Sequence, residues 1–289
     1  MAEILLYQFQ PGGRHGFGKT TYCVMVNLKQ YLEAAPYRGE SYGFAFAKVP
    51  RRFWGWFIPQ RFLKQNTING FRRYDLPLLM SYSRSGTNWL RYFMEMVSER
   101  PTPGFERYIK GRTDYLIDRA HAAFKVAHRH PKLILVLRDY RECLIRQHGA
   151  EQLKAFPTIK AFLEEKYLFQ PAFWYIKNIQ AFDHFDRPKL LLYYEDLIAF
   201  PERELERLAD FLEFDEAATT TFFQNIEEHQ IASVQYYNKN QKSHTKGKPT
   251  TLAQHSEAFS LAERQAFDQY YQNYFPDLFQ KYLERYRIG

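Results

Sequence analysis

An α/β fold with a mainly parallel central sheet flanked by helices is the class this sequence predicts. Three observations lead there. After residue 75, short apolar runs alternate with segments of helical periodicity. Several of those runs read as buried strands, and 289 residues suffice for a substantial core. The first strand is LPLLMSY (residues 76–82), which enters a turn of small residues. Leu90, Phe93, Met94 and Val97 then follow at i, i+3, i+4 and i+7, one face of a helix. Residues 115–121 form a weaker strand and KLILVL (residues 132–137) a strong one. Residues 155–184 read as helical with a break at Pro171, and KLLLYY (residues 189–194) as another buried strand. Pro201 suits a first helical position, with Leu205, Leu208, Ala209 and Leu212 on one face behind it. Ser260 and Glu263 carry a capping-box signature for a C-terminal helix.

Composition narrows the function classes. Forty Lys and Arg against thirty-two Asp and Glu give a formal net charge of +8 and a pI near 9.2. That balance favours an anionic ligand such as phosphate or sulfate, although the basic residues are scattered rather than run together. A hydrophobic share of 45% excludes wholesale disorder. No run approaches the length of a membrane-spanning helix, and the first residues lack the pattern of a signal peptide. Cys23 and Cys143 are too few for a disulfide framework and lack metal-ligand spacing, so a cytoplasmic, reducing setting without a metal cofactor is expected. One domain spanning residues 1–289 is expected, with residues 76–289 as its recognisable core. Residues 1–75, rich in Gly, Arg and aromatics, have an open role.

The segment SRSGTNWL (residues 83–90) lies between a strand and an amphipathic helix, an arrangement that binds phosphate. Ser85, Gly86 and Thr87 supply backbone N–H groups and hydroxyls at the positive end of a helix dipole. Gly86 lets an anion approach the backbone closely, and Arg84 adds a permanent fork-shaped charge. A tight turn capped by Thr87 or Asn88 is the alternative reading of the same residues.

The loop has company in the sequence. SYSRSGTNWL (residues 81–90) resembles the 5′-phosphosulfate loop of sulfotransferases that use 3′-phosphoadenosine 5′-phosphosulfate (PAPS). VLRDYREC (residues 136–143) is similar to that family's strand-ending 3′-phosphate motif, and the YEDL segment at residues 194–197 to its counterpart there. SHTKGKP (residues 243–249) resembles its late Lys-Gly loop. The four stand in the family's order and cover residues 76–289. The resemblance implies a P-loop-like three-layer fold, sulfuryl transfer from PAPS to a hydroxyl or amine of a small-molecule acceptor, and 3′,5′-phosphoadenosine as product. It implies neither a nucleic-acid partner nor a metal, and leaves the oligomeric state open. Carried over, Ser83, Arg84, Ser85, Gly86, Thr87 and Asn88 would cradle the 5′-phosphate and sulfuryl group. Trp89 would stack on adenine or else pack in the core. Arg138 would pair with the 3′-phosphate, assisted by Lys246 and the Gly247 backbone, and Tyr194 would lie near the nucleotide.

Three departures accompany the resemblance. Ser83-Arg84 stands where many members have Pro-Lys, and arginine cannot give up its proton. Arg84 would therefore assist the leaving phosphate by charge and hydrogen bonding alone. Arg146 stands where the family has a phosphate-binding Ser, and either compensates at the 3′-phosphate or points elsewhere. Arg119 stands where the family has a Lys, two residues before the histidine it uses as base. Sulfuryl transfer to a hydroxyl needs a proton acceptor, and histidine suits the task. His121, ending the weaker strand, is the preferred base; His128 and His130 are its rivals.

GRHGFGKT (residues 13–20) fits the Walker A pattern and follows a possible strand in ILLYQF. A helix over residues 22–32 would complete a triphosphate site with Lys19 and Thr20. This P-loop kinase or triphosphatase is the alternative function, and a catalytically inactive nucleotide- or membrane-surface-binding relative is a third. The aromatic run at residues 51–62 reads as core packing, an acceptor-site lid or a membrane-surface anchor.

Overall fold

The computed structural model describes residues 5–8, 22–25, 73–103, 108–109, 112–121, 124–164, 171–240 and 255–288. The chain divides into two compact units, Met1–Ile58 and Pro59–Gly289. In the first, strand β1 (Leu5–Gln8) pairs antiparallel with β2 (Tyr22–Met25), Leu5 opposite Met25 and Gln8 opposite Tyr22. The helix expected from residue 22 therefore gives way to a strand. Aromatic and β-branched residues in Tyr-Cys-Val-Met favour the extended state over a helix. A Walker site needs a helix directly behind its Lys-Thr pair, so the triphosphate reading loses that element. The loop at residues 13–20 and the aromatic run at residues 51–62 lie outside the described residues.

In the second unit, β3 (Leu78–Ser81), β4 (Asp118–Ala120), β5 (Leu133–Leu137) and β6 (Lys189–Tyr193) form one sheet in the order β4-β3-β5-β6. All three pairings are parallel, with Met80 opposite both Ala120 and Leu135, and Val136 opposite Leu192. The helices are α1 (Thr87–Ser98), α2 (Tyr140–His148), α3 (Ala150–Lys154), α4 (Ile159–Leu163) and α5 (Pro171–Asp183). They continue with α6 (Tyr194–Ala199), α7 (Pro201–Leu212), α8 (Glu216–Gln224), α9 (Ile226–Asn240) and α10 (Leu261–Tyr274).

Strand side chains alternate between two cores, as the two-residue period requires. Leu79, Ile134, Val136 and Leu192 pack with Leu90, Phe93 and Met94 of α1 and Leu205 and Leu208 of α7. Leu78, Met80, Leu133 and Leu135 face the other way, against Cys143 of α2, Ile176 and Ile179 of α5, and Phe267 of α10. Helix, sheet and helix thus make three layers. Pro201 occupies the first turn of α7 and the Ser260–Glu263 capping box opens α10, both as their sequence signatures require. Pro171 begins a helix instead of interrupting one, since its missing N–H has no intrahelical partner in a first turn.

One polar cluster lies inside this core. Glu95 of α1, fully buried, accepts bonds from the backbone N–H groups of Thr102 (3.1 Å), Tyr108 (2.8 Å) and Ile109 (2.9 Å). Buried Arg91 lies 3.6 Å away, one helical turn earlier, and donates to the Thr102 hydroxyl at 2.9 Å. The pair ties α1 to the chain that leaves it.

Candidate active site

β3 and β5 are neighbours, yet the helices that follow them pack on opposite faces of the sheet. Loops that part in this way leave a crevice at the carboxyl ends of parallel strands. Every strand of the sheet sends a candidate residue to it.

The loop after β3 forms the floor of that crevice. Arg84 and Gly86 both adopt left-handed backbone angles, φ 69° and 82°, and the Ser85 N–H returns to the Tyr82 carbonyl at 3.4 Å. Arg84 carries strain that glycine would not, and the Arg138 guanidinium meets its carbonyl at 3.4 Å. Gly86 is the N-cap of α1, where no side chain caps the helix and no acidic residue occupies the first turn. The first-turn N–H groups at Thr87, Asn88 and Trp89 thus keep the positive end of the helix dipole. A Cβ on Gly86 would run into the Tyr194 ring. Ser85 and Thr87 are buried, Ser83 and Asn88 partly buried, and Arg84 is exposed.

The next strands bring cations. Arg138, buried at the end of β5, lies 4.3 Å over the Tyr194 ring that follows β6. Two turns on, burial and the neighbouring Arg138 charge make Arg146 less basic than usual, with Arg84 acting in the same sense. Among the described residues no carboxylate pairs with Arg84, Arg138 or Arg146. The nearby acids are engaged elsewhere. Asp139 binds Arg141 at 2.9 Å, while Glu195 accepts from the Asp139 N–H at 3.1 Å and the Tyr286 hydroxyl at 2.7 Å. Three neighbouring guanidinium groups, none in a direct ion pair among the described residues and with Glu142 the one carboxylate acting on Arg146 from a distance, suit a multiply charged anion.

His121 follows the edge strand β4. Its Nδ1 lies 3.2 Å from the Ser81 carbonyl and its Nε2 3.3 Å from Arg119 Nη2, while its own carbonyl accepts from the Asn178 amide at 2.9 Å. A guanidinium only donates, so Nε2 is the acceptor and Nδ1 carries the proton. Burial and then the Arg119 charge lower its pKa to about 3, so the ring is neutral at physiological pH. The rivals lie elsewhere. His128 is exposed on the turn Ala127–Arg129. His130 is buried against the Leu76 carbonyl (2.9 Å), at the amino end of the sheet and away from the loop.

Trp89 stacks on Tyr92 (5.7 Å between centroids) and touches Phe222 of α8 while remaining partly exposed, so it packs against the core along one side. Lys246 and Gly247 lie outside the described residues. Two residues were absent from the candidate set. Arg119 donates to Thr87 Oγ1 at 3.1 Å and so joins β4 to the loop. Its signal was its place two residues before His121, on the same face of the strand. Asn178, buried on α5, gave no local signal in a helical stretch.

A family model described as "Sulfotransferase domain" matches residues 116–284. The chain belongs to the sulfotransferase domain family. Within this sulfotransferase the match takes in His121, Arg138, Arg146 and Tyr194, whereas the loop at residues 83–89 precedes it and rests on its own geometry. Among solved structures, mouse sulfotransferase SULT7A1 complexed with PAP aligns with a TM-score of 0.51 at 16% identity, over 79% of this chain and 93% of that one. The two share the fold. Retinol dehydratase in complex with androsterone and inactive cofactor PAP aligns with a TM-score of 0.48 at 16% identity, over 76% of this chain and 86% of that one. No curated protein matches the sequence. Among the described residues of the sulfotransferase, no helix is long and apolar enough to cross a membrane.

Proposed function

We propose that this sulfotransferase moves the sulfuryl group of PAPS to a hydroxyl or amine of a small-molecule acceptor, in the reducing cytoplasm, with His121 as base. The observation that carries the reading is the convergence of an uncapped helix start with Arg84, Arg138 and Arg146, beside a neutral histidine. The donor set suits a nucleotide phosphorylated at both ends: backbone N–H groups of residues 83–89 for the 5′ end, and Arg138 with Arg146 for the 3′-phosphate. Lys246 and the Gly247 backbone join the latter on the strength of the sequence resemblance. The glycine at position 86, where a Cβ would meet Tyr194, keeps the loop close to that ring and leaves its backbone open to a ligand.

PAPS supplies an activated sulfuryl group when bound. The chain's own residues position and balance charge around it. Arg84 offsets the negative charge that grows on the leaving phosphate. The Nδ1–H bond to the Ser81 carbonyl fixes the tautomer of His121 so that its Nε2 lone pair takes the acceptor's proton. Tyr194, buried between Gly86 and Arg138, lines the nucleotide side.

The test is transfer from PAPS to a panel of phenols, alcohols and amines, followed by mass spectrometry, in wild type and His121→Ala. The reading expects a sulfated product and a rate reduced about 10²–10⁴-fold in the variant. Undiminished turnover in His121→Ala overturns the base assignment. Bisphosphate binding without transfer to any acceptor favours an inactive relative.

A further inference from the structure

We propose that Arg119 masks the base: its guanidinium occupies the His121 Nε2 lone pair, and only an oxyanion on the loop at Thr87 draws it away and lets His121 accept a proton. The proposal rests on the sulfotransferase reading and adds the order in which the site becomes competent. Arg119 and His121 are two residues apart at the end of β4, so both side chains leave the same face of the sheet. One nitrogen of Arg119, Nη2, reaches both Thr87 Oγ1 (3.1 Å) and His121 Nε2 (3.3 Å). With Nδ1–H committed to the Ser81 carbonyl, the neutral ring has a single lone pair, and Arg119 covers it. An acceptor hydroxyl needs that same lone pair.

Thr87 opens α1, where an oxyanion meets the first-turn N–H groups. A guanidinium meeting an oxyanion gains a charge–charge attraction that it lacks with a neutral imidazole, so the anion wins Arg119 from the imidazole. The surroundings add to the effect. His121 faces Arg119 from its own strand, Arg84 from the loop, Arg91 from α1, Ser81 from β3 and the neutral Asn178 from α5. The three charges named are all positive, and together with burial they hold the ring neutral and weakly basic. Negative charge on the loop offsets them and moves the base toward the working pH. Arg119 is thus a positioning residue, acting through His121.

Side-chain ¹⁵N NMR of His121 in the full chain tests this, across a pH series, with and without 3′,5′-phosphoadenosine plus inorganic sulfate. Wild type, Arg119→Ala and Arg119→Lys are compared, and calorimetry on the same samples verifies binding. In wild type the ligands are expected to raise the His121 midpoint by about two pH units. Arg119→Ala is expected to start from a raised midpoint and to show less than half of that ligand-induced rise. Arg119→Lys, which keeps a cation if the alanine variant does not fold, is expected to show a smaller rise than wild type. Equal rises in wild type and both variants mean that ligand charge alone acts; that result overturns the mask and leaves the sulfotransferase reading intact. Failure of the bisphosphate to bind overturns both.

Discussion

Replacing Gly86 by alanine adds one methyl group where the loop meets the sheet. Two costs follow from the geometry. The backbone sits at φ 82°, and holding a residue with a Cβ in the left-handed region costs about 1–2 kcal/mol. The methyl would also occupy the space of the Tyr194 ring. That ring is 5% exposed and has Arg138 4.3 Å above it, so it has little room to move. Overpacking a buried site costs about 1–3 kcal/mol more. Gly86→Ala is therefore expected to lose about 2–5 kcal/mol in urea unfolding. A double-mutant cycle separates the parts. In a Tyr194→Ala background the clash is gone, and the same substitution should cost about 1–2 kcal/mol, leaving a coupling of about 1–3 kcal/mol. Equal costs in both backgrounds would refute the argument that the loop rests on Tyr194.

Arg146→Ala removes a cation that burial and the Arg138 and Arg84 charges disfavour more than Glu142 supports it, so stability in urea should hold or rise while affinity for 3′,5′-phosphoadenosine falls about 10–100-fold; a parallel loss of both contradicts a binding role. His121 is held neutral to about pH 3 in the folded chain but protonates near 6.5 when unfolded, so its contribution is complete above pH 6.5 and is lost as pH falls from there. Wild type should therefore lose up to about 1.4 kcal/mol per pH unit more than His121→Gln between pH 6 and pH 4, read by denaturant titration. His130→Ala, at the far end of the sheet, should cost about 1–3 kcal/mol of stability with turnover per folded molecule retained, the opposite of His121→Ala. Glu95→Ala should cost about 3–5 kcal/mol in the same measurement, because three backbone N–H groups and Arg91 lose a buried carboxylate.

Much of the second unit was legible because its elements follow local rules. β3, β5 and β6 are apolar runs, and the Ser260–Glu263 box states where α10 begins. β4 was weaker since Asp118, Arg119 and Ala120 form it, and polar residues enter a buried edge strand only where partners satisfy them, several of which here lie far away in sequence. Thr87 and Ser81, which receive Arg119 and His121, are 32 and 40 residues distant. No short-range pattern reports such pairs. The same limit hid the Arg91–Glu95 pair, whose i,i+4 spacing looks like an exposed helical ion pair until burial is known. Residues 22–25 illustrate the opposite error. A glycine-rich segment ending in Lys-Thr suggested a following helix, and the side chains that actually come next favour a strand.

A nucleotide bearing a 3′-phosphate is the proposed ligand of the arginines at the carboxyl ends of the sheet. Calorimetry of 3′,5′-phosphoadenosine against ATP with magnesium, in wild type and Arg138→Ala, tests this assignment most directly. Wild type is expected to prefer the bisphosphate, and Arg138→Ala to weaken its binding by about 10–100-fold, the loss of one charge-assisted contact. Preference for ATP with magnesium, or bisphosphate binding indifferent to Arg138, contradicts it.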